Sequence, residues 1–131
     1  MTNISQVKTD SAEYKLYYNE LTRFIGRLKN KHAEYFINEL LTETETIMIV
    51  KRFSAIIMLN RSYTTYRICH TLSISLSTAQ RLKENYENGN YSNLLSCLKE
   101  KEVNGFISLL EDFMLFQVSS RARARLLNRV L

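Results

Sequence analysis

The apolar positions of the chain recur at helical spacing almost from end to end. In residues 11–31, Tyr14, Tyr18, Leu21, Ile25 and Leu28 alternate steps of four and three, which is one stripe of an amphipathic helix. A stripe of that a/d kind suits a partner helix, from the same chain or from a second copy. A short helix fits residues 32–41, with Phe36, Ile37, Leu40 and Leu41 inward. Thr42 then opens another, and Glu45 follows three residues later, the pattern of a capping box. That helix runs to about Leu59, with Val50, Phe53 and Ile57 on one side and Ile49 and Ile56 adjacent. It is apolar over most of its circumference, which predicts a central, buried element. Lys51 and Arg52 mark its wet edge.

Residues 64–72 and 76–86 read as two further helices separated by the turn "SIS", with Gly89 placed to end the second in a left-handed cap. Leu94, Leu95 and Leu98 begin another. Phe106, Leu109, Leu110, Phe113 and Phe116 form a last strong stripe, with Asn104-Gly105 as a candidate break. There is no Pro and there are only three Gly in 131 residues, so strand punctuation is scarce and an all-α fold is expected. The organisation expected is a flexible N-terminus (1–10), one helical domain (11–118) and a basic tail (119–131).

Charge changes this picture. The net charge is +5, but its placement says more than its sum. Residues 10–45 hold seven acids and five bases, and residues 84–118 six acids and two bases. Between them, residues 46–83 hold no Asp or Glu but carry Lys51, Arg52, Arg61, Arg67, Arg81 and Lys83. The tail "SSRARARLLNRVL" adds four Arg and no acid. A basic centre between acidic flanks suits a polyanion; the plainer explanation is a solvated surface. The N-terminus shows no apolar signal region, and no apolar run approaches membrane-spanning length. Cys69 and Cys97 fit neither a disulfide framework nor a metal pattern. A cytoplasmic protein without metal or cofactor is the expectation.

The acid-free centre contains the stretch "YTTYRICHTLSISLSTAQRLKENY", which suits a helix-turn-helix at about residues 63–86. Ile68, Leu72, Ile74, Ala79 and Leu82 stand where the two helices must touch, and Ala79 is small enough to let them approach. Ser75 or Ser77 can cap the second helix. Ser73 stands at the turn position where Gly is usual. Thr64, Arg67, Ser75, Ser77, Thr78, Gln80, Arg81 and Lys83, with Arg52 and Arg61, are the candidate DNA-binding residues. Thr78, Gln80 and Arg81 suit base edges, since Gln pairs with adenine, Arg with guanine, and Ser or Thr with either. Arg52, Arg61, Arg67 and Lys83 suit phosphates or a bracing role.

The run "LLTETETIMIVKRFSAIIMLNRSYTTYRICHTLSISLSTAQRLKENYENGNYSNL" resembles the Trp repressor-like family. The resemblance rests on "LLT" at residues 40–42, Arg52 ten residues later, the run ending "STAQR" at Arg81, and "GNY" after the second helix. It covers about residues 40–95 and implies an all-α, Trp repressor-like helical bundle with a central helix-turn-helix. It further implies an intertwined homodimer whose two recognition helices enter successive major grooves of double-stranded DNA. The sequence departs from the Trp repressor at Leu82, where that protein has Gly beside the Arg that matches Arg81. Arg52 and Arg81 match the two Arg that flank the indole there, and Leu82 is expected to fill the space the indole needs. Tryptophan is therefore not expected to act as corepressor. The match also needs one residue deleted between Arg52 and Met58, and residues 96–131 have no counterpart in it.

Catalysis finds little support. His32 and His70 stand alone, and no nucleophile triad, carboxylate pair or phosphate-binding glycine loop is present. Two other readings remain: a DNA-binding component of a mobile element or replication system, and a helical dimeric adaptor built on the stripes of residues 14–28 and 106–116. With no catalytic domain alongside, a free-standing regulator is the expected role.

Overall fold

The computed structural model describes residues 11–116 and residue 128. Residues 1–10 and, apart from Asn128, the basic tail fall outside the described residues, as does the Phe116 side chain. Among the described residues there are seven helices and no strand, so the chain is all-α. They are α1 (Ala12–Ile25), α2 (Lys31–Leu40), α3 (Glu43–Asn60), α4 (Thr65–Leu72), α5 (Leu76–Glu87), α6 (Ser92–Ser96) and α7 (Glu100–Phe116). The chain divides into two compact units, residues 1–46 and 47–131.

In the first unit, the Ser11 hydroxyl accepts from the Tyr14 amide at 3.1 Å and starts α1. The helix is shorter than its apolar stripe. It ends at Ile25, Gly26 follows, and Asn30 takes a positive φ of 51° before α2. Leu28 therefore belongs to the turn, not the helix. Phe24 and Phe36 join the two helices, ring centroids 6.0 Å apart. Neither α1 nor α2 buries a single residue. Of the four residues of α2 and its end expected to face inward, Ile37 and Leu40 are exposed and only Phe36 and Leu41 are half-buried. The Thr42 capping box forms as expected: the Thr42 amide donates to Glu45 Oε1 at 2.9 Å, and the Glu45 amide to Thr42 Oγ1 at 3.1 Å.

The second unit holds the core. Its centre is the C-terminal half of α3, where Ser54 to Leu59 are all buried. Ile47, Met48, Ile49 and Val50 are about half exposed, so the N-terminal half of that helix is not the buried element its composition suggests. Ile57, Met58, Ile68, Ala79, Leu82, Val103, Ile107 and Leu110 close the cluster. Phe53 meets Phe106 edge-on at 5.5 Å. α7 runs unbroken through Asn104-Gly105, and a side chain at Gly105 would meet nothing within 4 Å. Glycine there costs only helix propensity. The face of α7 that packs is Val103, Ile107 and Leu110, whereas Leu109 and Phe113 are 39% and 41% exposed. Of the expected stripe, Leu110 is buried and Phe106 packs on the core, while Val103 and Ile107 join them from outside the stripe.

Candidate nucleic-acid interface

α4 and α5 form the expected bihelical unit. Thr64 caps α4, its hydroxyl accepting from the Arg67 amide at 3.2 Å. α4 stops because Ser73 turns left-handed, φ 54° and ψ 51°, and its amide donates back to the Cys69 carbonyl. Ile74 donates to the same carbonyl at 3.2 Å. Of the two serines able to cap α5, it is Ser75 that does so, accepting from the Thr78 amide at 3.1 Å. Ile68, Ala79 and Leu82 are buried between the helices and the rest of the unit. α5 ends at Glu87, and Gly89 follows with φ 79°.

This packing fixes which side of α5 faces outward. Ser77, Gln80, Arg81, Lys83 and Ser75 are exposed. Thr78 is half-buried, and its hydroxyl lies 2.7 Å from that of Ser75. It belongs to the cap network as much as to the open face, because the residue before Ala79 turns partly inward. The Lys83 ammonium lies 3.9 Å from the Glu87 carboxylate, an exposed pair that water weakens.

Arg52 and Arg81 come together. They line a cavity of about 410 Å³ between α3 and α5, with Met48, Lys51, Ile74, Thr78, Leu82, Asn85 and Tyr91. Leu82, expected to fill this space, is 9% exposed and belongs to the core; it also forms part of the cavity's wall, and the cavity remains open beside it.

Arg61 and Arg67 lie elsewhere. Arg61 donates to the Asn104 carboxamide of α7. The Arg67 guanidinium sits over the Tyr63 ring, 5.5 Å from its centroid. The Tyr63 hydroxyl donates to Glu111 Oε1 at 3.1 Å. Burial, then the hydrogen bond to Glu111 and its negative charge, hold the Tyr63 phenol above its ordinary pKa, while Arg67 and Arg61 oppose this. Thr64, Arg67 and this tyrosine therefore form a second polar group at the start of α4, with the Glu111 carboxylate beside it.

Two bracing residues are absent from the candidates read in the sequence. Lys51 donates to the Ser73 carbonyl at 3.3 Å and ties α3 to the turn of the bihelical unit. Its position as a cation on an apolar helix is visible in the sequence; its partner, 22 residues away, is not. The Tyr86 hydroxyl donates to Asn60 at 3.3 Å and holds the far end of α5.

No family model, curated protein or solved structure matches this chain. Among the described residues no cluster of His, Cys, Asp or Glu could hold a metal ion. No helix among them is long and apolar enough to cross a membrane.

Proposed function

We propose that the protein binds double-stranded DNA sequence-specifically through α4 and α5, as a dimeric transcriptional regulator. One observation carries the reading: the exposed face of a capped, braced α5 presents Ser77, Gln80, Arg81 and Lys83 and no acid before Glu84. The first two turns carry no carboxylate that phosphate would repel, the exposed Glu84 standing one turn beyond Gln80, and Gln and Arg have the donor and acceptor geometry for adenine and guanine edges. Thr64 and Arg67 at the start of α4 stand where a first helix meets the sugar-phosphate backbone. The Arg67 guanidinium suits that contact.

Dimerisation is part of the reading. α1 and α2 bury nothing, and Leu16, Leu21, Phe24, Ile25, Tyr35 and Leu40 are 42–66% exposed. Full burial of one such side chain stabilises by about 1.5–3 kcal/mol. A second copy offering the same helices would cover them, and a dimer would place two α5 helices about 34–36 Å apart, one turn of DNA. The resemblance to the Trp repressor-like family points the same way.

Tryptophan is not the effector in this reading. α5 is already held by the Ser75 cap, the Lys51–Ser73 tie and the Tyr86–Asn60 bond, so its placement does not wait for a ligand. Selection from a pool of random duplexes, followed by gel shift on the enriched sequence, tests the function. Enrichment of a two-fold symmetric site supports it; no enrichment removes it.

A further inference from the structure

The side chain at the first position of α5 has no role in the core. Leu76 is 52% exposed. α5 is anchored instead by Ala79 and Leu82, which are buried. Leu76 is therefore an apolar group held at the surface, between the exposed residues Ser75 and Ser77. Its backbone is fixed, because the Ser75 hydroxyl caps the helix at the Thr78 amide and lies 3.1 Å from that of Ser77. Gln80 is four residues on, so it lies beside Leu76 on the same side of the helix and is exposed as well.

A leucine side chain can neither donate nor accept a hydrogen bond, so it can tell base pairs apart only by shape and apolar contact. Major-groove edges offer one distinctive apolar feature, the 5-methyl group of thymine. The opposite edge of an A·T pair offers the acceptor and donor that a Gln carboxamide matches. An apolar group and a carboxamide one helical turn apart are thus suited to neighbouring A·T pairs. We propose that Leu76 reads the 5-methyl of a thymine in the major groove and is a specificity-determining residue of this protein. This rests on the DNA-binding reading given above.

The test starts from the duplex enriched by selection. Each thymine is replaced in turn by deoxyuridine, which removes the methyl and leaves every hydrogen-bonding group in place. At one thymine per half-site, the wild-type protein should bind the uracil duplex about fourfold more weakly, the worth of one buried methyl. Leu76→Ala should bind the thymine and uracil forms alike, with an unchanged thermal melt, since Leu76 is outside the core. Uracil sensitivity that persists in Leu76→Ala, or is absent from the wild type, overturns the proposal and leaves DNA binding intact. Failure to enrich any duplex removes the DNA-binding reading and this proposal with it.

Discussion

The Lys51 ammonium of α3 donates to the Ser73 carbonyl, 3.3 Å away, at the one left-handed residue between α4 and α5. The contact places a cation at the C-terminus of α4, where the helix dipole is negative. It also fixes the residue whose backbone sets the angle between the two helices. Lys51→Met should lower the unfolding free energy by about 0.3–1 kcal/mol, the worth of a cation at a helix end. Ser73→Gly should act the other way. A residue with a Cβ loses roughly 1–2 kcal/mol in the left-handed region, and Gly returns about half of that as chain entropy in the unfolded state. Urea titration of the two variants checks both signs; a destabilised Ser73→Gly would mean that the serine side chain itself holds the turn.

The capping box at the start of α3 gives the protein a pH-dependent element. Hydrogen bonds from the Thr42 backbone amide and then its hydroxyl hold the Glu45 carboxyl below its ordinary pKa. A group whose folded pKa is depressed stabilises above its unfolded pKa, and that contribution is lost as pH falls through the folded value. The difference in melting temperature between wild type and Glu45→Ala should therefore be largest near neutrality. It should shrink as pH drops below the ordinary glutamate range. A difference that stays constant down to strong acid would show that the cap works through packing and not through charge.

The exposed helices of the first unit predict association. Light scattering at tens of micromolar should give the mass of a dimer of this 15.4 kDa chain. Leu21→Asp, on the apolar side of α1 and 42% exposed, should shift the protein towards monomer while the core of the second unit still melts cooperatively. Monomer alone for the wild type would count against the dimeric reading.

Arg52 and Arg81 flank an open cavity of about 410 Å³, so tryptophan binding can be measured directly. Calorimetric titration with L-tryptophan should show no micromolar binding, and the gel shift should not change when the amino acid is present. An affinity for DNA that rises with tryptophan would restore a corepressor model and make Leu82 a tolerated substitution in its floor.

Local chemistry is the legible part of the sequence. Thr42 and Glu45 are three residues apart, and so are Ser75 and Thr78; those caps depend on little else, and both form. The apolar spacing of Ile68, Leu72, Ile74 and Ala79 places the turn, and Ser73, standing where Gly is usual, takes the left-handed conformation itself. What periodicity cannot supply is which apolar face finds a partner. α3 is apolar along its length, yet only Ser54 to Leu59 are buried, because burial depends on what the rest of the fold brings to each turn. Of the α7 stripe, Leu110 and Phe106 reach the core while Leu109 and Phe113 do not, and Val103 and Ile107 take the remaining core positions. At the candidate interface, Gln80, Arg81 and Ser77 stand exposed as the spacing suggests. Arg61 turns to Asn104, 43 residues away, and Lys51 to Ser73; pairings at that distance leave no local trace.

DNA binding through α4 and the first turns of α5 is the central claim, and its salt dependence is the most direct measurement. Affinity for the selected duplex should be followed by fluorescence anisotropy from low to physiological salt. Each phosphate that a cation neutralises contributes a slope of about −0.9 in log K against log salt. The wild-type plot should be linear and steep. Lys83→Met should make it shallower by about one unit and weaken all sequences alike. Gln80→Ala should leave the slope unchanged and cost about 1–3 kcal/mol on the selected site alone. Affinity indifferent to salt over that range, or no measurable affinity for any duplex, would contradict the claim.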